Sequence, residues 1–133
     1  TCGNAAHVHD LVDYVTAESL QAGRSAADYV QRKRPAQPGK ILDVKSGAGI
    51  SYTLPQRIRP ERVEGETTLF FRVNGVYGPS TILITSGPQS IARFSRSRMV
   101  PGEMERIMIP KALLTNAKGT LTISIQPKEK DLP

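Results

Sequence analysis

The chain has 133 residues, of which 38% are hydrophobic and 23% are charged, and its formal net charge is +6. This length suits about one domain, and no apolar run reaches the ~18 residues of a membrane-spanning helix. The single cysteine excludes an internal disulfide framework and is typical of a reducing compartment, so a cytoplasmic location is expected.

The first predicted element is a long helix that follows a loop at residues 5–14 and ends near Val30. From Val15 onward, small and apolar residues recur at steps of three to four, which is the period of a helix with one packed face. Asp13 or Thr16 is expected to cap its N-terminus. The packed face is predicted to include Val15, Ala22, Ala26 and Val30.

Two residues before the loop have the chemistry that a bound cofactor needs. Gly3, expected at the end of an apolar strand, lets the backbone approach a ligand closely because it has no side chain. Asn4 both donates and accepts hydrogen bonds, as a ribityl hydroxyl requires. A helix that begins near residues 13–16 points its free N–H groups and its positive dipole end back toward the loop, where they suit the carbonyl edge of a flavin.

These residues resemble the second FAD motif of the pyridine nucleotide-disulfide oxidoreductase superfamily, the thioredoxin reductase-like flavoproteins. In that motif a strand ends in Ala-Gly-Asp, and after a loop a helix opens with Val-Thr-Ala and continues with small residues. Cys2-Gly3-Asn4 and Val15-Thr16 are similar to it at nearly the same spacing, and Asn4 stands in place of the family's Asp. The resemblance implies that FAD is held by Gly3, Asn4, Asp13, Tyr14, Val15 and Thr16.

The string at residues 2–13 is similar to a bacterial subgroup of these FAD/NAD(P)-dependent enzymes that is associated with anaerobic glycerol-3-phosphate dehydrogenase. Members also carry a β-rich extension with a Pro-Gly-Glu-Met turn, like residues 101–104. The resemblance implies the C-terminal fragment of an oxidoreductase that passes electrons between NAD(P)H and an acceptor through FAD. The fragment alone is expected to lack FAD and activity, because any catalytic cysteine pair would lie upstream.

Charge and composition change near residue 31. Residues 31–133 hold seventeen Lys and Arg against eight acids, a net charge of +9, so the basic excess belongs to the second part of the chain. Pro35, Pro38 and Gly39 forbid further helix and indicate a linker. The predicted organisation is the end of a flavin-binding domain at 1–34, a linker at 35–40, a β-domain at 41–127 and a tail at 128–133.

Beyond the linker, the hydrophobic period changes from helical to alternating. Leu121, Ile123 and Ile125 point to one face and polar residues to the other, as in a half-buried strand. Turn residues such as Gly87-Pro88 separate the apolar runs. The predicted fold class is mainly β: a β-sandwich of about seven strands, preceded by one long α-helix left over from an α/β flavin-binding domain. The strands are expected at residues 41–45, 50–54, 68–73, 81–85, 90–97, 103–109 and 120–126, and a short helical turn at 111–116.

Three other residues invite a chemical role. The His-x-His spacing of His7 and His9 suits a metal ion, but no third ligand cluster is visible, so no metal site is predicted. In the resembling family this loop lies near the flavin, where His7, His9 or Asp10 would line the redox site; the alternative is a pair of solvated or hydrogen-bonded loop histidines. Cys2 is expected to be a small buried strand residue, so no catalytic residue is assigned.

The basic β-domain raises the question of its partner. Arginines would suit phosphate binding, but the aromatic residues are expected to be needed in the core, and alternation places Arg93 and Arg96 on opposite faces, so nucleic acid is not favoured. The predicted partner is a redox protein or a second copy bound through the β-domain. The alternative for the whole chain is a non-catalytic β-sandwich module that binds protein or carbohydrate. The arginines considered are Arg57, Arg59, Arg62, Arg93, Arg96 and Arg98.

Overall fold

The computed structural model describes residues 2–31 and 39–128. The chain divides into two units, Thr1–Pro38 and Gly39–Pro133, and the division falls within the predicted linker. Residues 35–38 of that linker, and all of the predicted tail except Lys128, lie outside the described residues. Among the helices in the described ranges, none combines the length and apolarity that a bilayer crossing requires.

The first unit consists of a 3₁₀ turn at Gly3–Ala5 and one helix, α1 (Val12–Val30), joined by a loop. The helix ends at Val30, as its sequence period predicts. Cys2 has an extended backbone (φ −151°, ψ 174°) but lies in no strand within the described residues, and its side chain is half-buried. The expectation of a buried strand residue at this position is therefore wrong.

The start and the cap of α1 also differ from the prediction. The helix begins at Val12, and its N-cap is Leu11, which has no side-chain hydrogen bond to offer. Asp13 lies inside the first turn, and the Thr16 hydroxyl donates to the Val12 carbonyl oxygen at 3.1 Å. Neither Asp13 nor Thr16 is the cap, because one is already helical and the other bonds back along the helix.

No residue of α1 is buried within the described part of its unit. Ala26 and Val30, which belong to the predicted packed face, are exposed, and Leu20 and Tyr29 are exposed as well. Helices in water owe most of their stability to packing of an apolar face. The apolar side chains of α1 are therefore suited to packing against another surface, which the loop of the first unit does not provide.

The second unit is mainly β and has two sheets in a β-sandwich-like arrangement, as predicted. Its described elements are β1 (Leu42–Ser46), β2 (Ile50–Leu54), β3 (Arg57–Ile58), β4 (Glu66–Val73), β5 (Ser80–Ser86), β6 (Gln89–Arg96), β7 (Glu105–Pro110), α2 (Lys111–Asn116) and β8 (Thr120–Pro127). One sheet has the strand order β3-β1-β8-β5-β6 and the other β2-β4-β7. All strand pairs are antiparallel except β1 with β8, which are parallel.

The seven predicted strands and the helical turn α2 are confirmed, with small differences at their ends. Strand β3 was not predicted, because its two residues, Arg57 and Ile58, are too few to show alternation. Ile58 pairs with Leu42 of β1. At the β5–β6 hairpin, Ser86 pairs with Gln89 across the Gly87-Pro88 turn, and Gly87 has the positive φ (57°) that a two-residue hairpin turn uses.

The core of the second unit combines inward-facing residues of both sheets. On β8, Leu121, Ile123 and Ile125 are buried and alternate with half-buried residues, which confirms the predicted pattern. Phe71 is completely buried, whereas the other aromatic residues of the unit are only half-buried. The expectation that the aromatic residues mostly fill the core holds fully for Phe71 alone. The half-buried ones are Tyr52, Phe70, Tyr77 and Phe94, of which Tyr77 and Phe94 pack against the core.

Candidate functional site

The loop of the first unit is fastened to α1 by one carboxylate. Glu18 Oε2 accepts a hydrogen bond from the Gly3 backbone N–H at 2.8 Å and lies 2.9 Å from His9 Nε2. Because a carboxylate only accepts, His9 must carry its proton on Nε2. Gly3 is buried and has φ +63°, a left-handed conformation that glycine adopts without strain. Glu18 therefore holds both ends of the loop against the helix.

His9 is the enclosed centre of this arrangement. Its side chain is fully buried, and its backbone N–H donates to Asn4 Oδ1 at 3.2 Å. The ring of His7 lies 4.0 Å from the ring of His9, centroid to centroid, with a tilt of 57°. Both ring nitrogens of His7 and Nδ1 of His9 are shielded from solvent. One donor atom each of His7, His9 and Glu18 lies within 4.8 Å of the others.

The surroundings of Glu18 change its acidity. Burial alone raises the pKa of the Glu18 carboxyl, whereas the hydrogen bonds from His9 and from the Gly3 N–H, with the nearby charges of His9 and His7, lower it. The lowering effects win, so the pKa of Glu18 lies below the ordinary 4.5. The carboxylate is therefore ionised at neutral pH and remains a hydrogen-bond acceptor.

The lowered pKa of Glu18 predicts a pH-dependent loop. A depressed pKa in the folded state stabilises the folded loop above the ordinary value of 4.5, and this stabilisation is lost as the pH falls through the folded pKa. We expect the carboxyl ¹³C resonance of Glu18 to titrate below 4.5, and the Gly3 amide to lose its protection from hydrogen exchange over the same pH range. In the matched variant Glu18→Gln, which keeps an acceptor oxygen but does not titrate, this pH dependence should vanish. A Glu18 midpoint at or above 4.5 would contradict the assignment.

The residues predicted to hold a flavin lie in two segments that touch. A Cβ built on Gly3 would lie 3.4 Å from Val15 Cγ1, so the turn before the loop and the first turns of α1 are in contact. Tyr14 and Val15 are half-buried, whereas Asp13 and Thr16 are exposed. The structure therefore brings Gly3 against the first turns of α1. No side chain caps the N-terminus of this helix.

Asn4, the sixth predicted flavin residue, already has a structural partner. Its side chain is exposed, but Oδ1 accepts the hydrogen bond from the His9 backbone N–H. This bond orders the loop, so Asn4 has a role that its position in the motif did not suggest. The amide oxygen of Asn4 is thus used within the chain, and a ribityl hydroxyl would be bound by the remaining amide group.

Glu18 and a groove on α1 are features that sequence reasoning missed. The groove is shallow and open, has a volume of about 530 Å³, and runs along one side of the helix past Val15, Ser19 and Gly23. Small residues four apart, Ser19 and Gly23, are the signal that predicts such a notch. For Glu18 the only signal is an acid nine residues after His9, and that separation does not reveal contact without the fold of the loop.

In the second unit, Arg96, one of the arginine candidates, is half-buried and serves the fold. Arg96 of β6 donates to Glu105 Oε2 at 2.9 Å and to the Arg106 carbonyl oxygen at 2.8 Å, so it joins the five-stranded sheet to the three-stranded one. Arg57 lies 3.4 Å from Asp43 on an exposed surface. Arg93, on the opposite face of β6 from Arg96, is exposed. Arg57 of β3 and Arg93 of β6 thus lie on strands at opposite edges of the five-stranded sheet, and the Arg96 guanidinium is used within the fold.

The outward face of the β2-β4-β7 sheet carries both apolar and cationic residues. Leu69, Phe71 and Val73 of β4 are buried, so the residues between them face away from the core. On that face Arg72 Nε donates to Tyr52 Oη at 3.1 Å. The face is formed by Tyr52, Leu54, Thr68, Phe70, Arg72, Arg106 and Met108.

Comparison of the chain with protein-family models, with curated proteins and with solved structures returned no match. The resemblance to the flavoprotein superfamily therefore depends on the residues of the first unit, chiefly Cys2-Gly3-Asn4 and Val15-Thr16. It remains a prediction.

Proposed function

We propose that residues 2–31 are the part of an FAD-binding domain that closes over the flavin, and that the chain is the C-terminal part of a bacterial flavin-dependent oxidoreductase. In this proposal electrons pass between NAD(P)H and an acceptor through FAD. The observation that carries the proposal is the N-terminus of α1, which lacks a side-chain cap and is surrounded by exposed apolar residues. Those residues are Val8, Leu11 and Val12, which are 62%, 54% and 75% exposed.

This N-terminus suits one edge of a flavin. The first backbone N–H groups of a helix have no partner within it, and the aligned peptide dipoles place partial positive charge there. A flavin offers carbonyl oxygens at one edge and a flat apolar surface beside them. Exposed Leu11 and Val12 would contact the apolar ring. The N–H groups of Val12 and Asp13 would bind the carbonyl edge, since the Tyr14 N–H already donates to the Leu11 carbonyl oxygen at 3.2 Å.

Gly3 and Glu18 would position the cofactor-binding loop. Gly3 brings its backbone against Val15, and the Glu18 carboxylate holds the Gly3 N–H at 2.8 Å. Asn4 adds a further bond to the loop by accepting from the His9 N–H at 3.2 Å. The loop is thus ordered before any ligand binds, and this lowers the entropic cost of binding.

The flavin would supply the transfer of electrons between a nicotinamide and the second acceptor. The share of this chain would be to bind the ring and keep it oriented. His7 and His9 lie in the same loop, but the Nε2 proton of His9 points to Glu18. We therefore assign no proton transfer to either histidine, and a cysteine pair for such chemistry would belong to another part of the protein.

The exposed surface of α1 also supports this proposal. Leu20, Tyr29 and Val30 are 57%, 81% and 79% exposed, although large apolar side chains of a helix in a globular domain are normally buried. In this proposal α1 packs on the sheet of the flavin-binding domain. The proposed role accounts for the small residues at Ser19 and Gly23, because they permit a close approach of a sheet to the helix.

Gly3→Ala is expected to weaken FAD binding about tenfold, because a left-handed alanine costs about 1–2 kcal/mol and the backbone must move to relieve it. FAD content per chain would be measured by absorbance after dialysis of the natively purified full-length gene product. The matched control is Gly119→Ala, since Gly119 also has a positive φ (75°) and its added Cβ would meet nothing within 4 Å. Equal FAD content in the two variants would contradict the role of Gly3.

A second candidate function concerns the β-unit, for which we propose docking to a redox protein or to a second copy of the chain. The observation that favours it is the outward face of the β2-β4-β7 sheet, where half-buried Phe70 and exposed Met108 lie beside Arg72 and Arg106. Mixed aromatic, methionine and arginine surfaces are typical of protein interfaces. As an independent module, this unit would bind a partner without any flavin. A cytoplasmic location is proposed with both functions, on the single cysteine.

A further inference from the structure

We propose that His7, His9 and Glu18 form a binding site for a divalent metal ion of the zinc class. The donor atoms of these three side chains lie within 4.8 Å of one another. The proposal is independent of the flavin, because its donor residues differ from those assigned to FAD. His7 and His9 alone would provide two metal ligands, and Glu18 provides the third.

The donor set matches the chemistry of zinc. Two imidazole nitrogens and one carboxylate oxygen are a known zinc-binding combination, and it leaves a fourth position for water. Neighbouring donors in a tetrahedral zinc site are about 3.3 Å apart, given Zn–N and Zn–O bonds of about 2.0–2.2 Å. His9 Nε2 and Glu18 Oε2 are 2.9 Å apart, so this pair is close to the required separation. The three donor atoms lie within 4.8 Å of one another, so movement of His7 by up to about 1.5 Å would bring in the third donor.

The surroundings of the cluster are those of a supported site. The Gly3 N–H bonds to Glu18 Oε2, and the His9 N–H bonds to Asn4 Oδ1, so two of the three donor residues are held by further hydrogen bonds. Such supporting bonds orient metal ligands and raise affinity. The side chain of His9 is fully buried, and the ring nitrogens of His7 are shielded from bulk water.

Binding would replace the proton now shared between His9 and Glu18. The metal ion would take the position of the Nε2 proton, the neutral imidazole of His9 would then carry its single proton on Nδ1, and both donors would bind the cation. Since α1 has no buried residue, an ion joining the loop to the middle of the helix would add to the stability of this unit. The main effect of the bound ion would therefore be to stabilise this unit, and one coordination position would stay open to water.

The test is a titration of the tag-free 133-residue chain with ZnCl₂ by calorimetry, and with CoCl₂ by visible absorption, which reports tetrahedral coordination. We expect one ion per chain. His7→Ala should weaken binding at least about tenfold, and it leaves the Glu18 bonds to Gly3 and His9 in place. Glu18→Gln should do the same while it keeps an acceptor for the Gly3 N–H.

Two neighbouring substitutions serve as controls. Cys2→Ser and Asp10→Asn remove two ligand-type groups that lie close in sequence to His7 and His9, and both should leave the affinity unchanged. Protection of the Gly3 amide from hydrogen exchange shows that the loop is intact in each variant. The proposal is overturned if the chain binds no ion at a one-to-one ratio, if His7→Ala and Glu18→Gln bind as well as the original chain, or if Cys2→Ser abolishes binding.

Discussion

Phe71→Ala is expected to lower the free energy of unfolding of the β-unit by about 3–5 kcal/mol. Phe71 lies in the middle strand of the β2-β4-β7 sheet, opposite Thr53 on one side and Glu105 on the other, and it is completely buried. Removal of its ring would leave a cavity between the two sheets. Since small domains have about 5–15 kcal/mol of stability in all, this change would bring the unit close to unfolding.

Phe70→Ala is the matched control, because Phe70 is the adjacent residue on the same strand and points to the opposite face. Its half-buried ring should contribute about 1 kcal/mol. The chain has no tryptophan, so hydrogen exchange of the central β5 amides under native conditions is a suitable measurement for this unit. A loss of stability in Phe70→Ala as large as that in Phe71→Ala would contradict the assignment of the inner face of β4.

Gly49→Ala is expected to destabilise the β-unit by about 2–5 kcal/mol, the sum of left-handed strain and overpacking. Gly49 precedes β2 and has φ +84°. A Cβ at this position would lie 2.8 Å from Ile125 Cβ and 2.9 Å from Tyr77 Oη. The Ile125 side chain belongs to the core strand β8, so it cannot move aside without disturbing the packing of both sheets.

Gly65→Ala separates the two contributions. Gly65 has nearly the same backbone conformation (φ +80°), but a Cβ there would meet nothing within 4 Å. Only the conformational cost of about 1–2 kcal/mol should remain. Urea unfolding of the two variants, followed by circular dichroism, gives the steric part as their difference. If the two variants were equally stable, the close approach of Gly49 to Ile125 would be wrong.

The strands of the β-unit were predictable because each has a local signature. Leu121, Ile123 and Ile125 alternate with polar residues, and burial of one face of β8 follows directly from that period. Strand pairing has no comparable local signal. The parallel pairing of β1 with β8 joins residues far apart in the sequence, such as Val44 and Leu121, and only the packing of the whole unit determines it.

The candidate site was predictable in part. Gly3 was singled out because it lets the backbone approach a ligand at the end of a strand; it lies instead in a 3₁₀ turn, with φ +63°. The cap of α1 was placed at Asp13 or Thr16 because such residues commonly cap helices, whereas the helix extends back to Val12 behind Leu11. Glu18 was missed as a partner of His9, because a contact between the loop and the seventh residue of α1 depends on how the loop folds back.

The most direct test of the central claim is the FAD content of the full-length gene product, purified natively and analysed by absorbance and mass spectrometry. The account predicts bound FAD whose visible absorbance bleaches on addition of NADH or NADPH. This result would make residues 2–31 the closing part of the flavin site and the β-unit its docking module. A colourless protein that cannot be reconstituted with FAD would contradict the flavin proposal and favour the independent β-sandwich binding module.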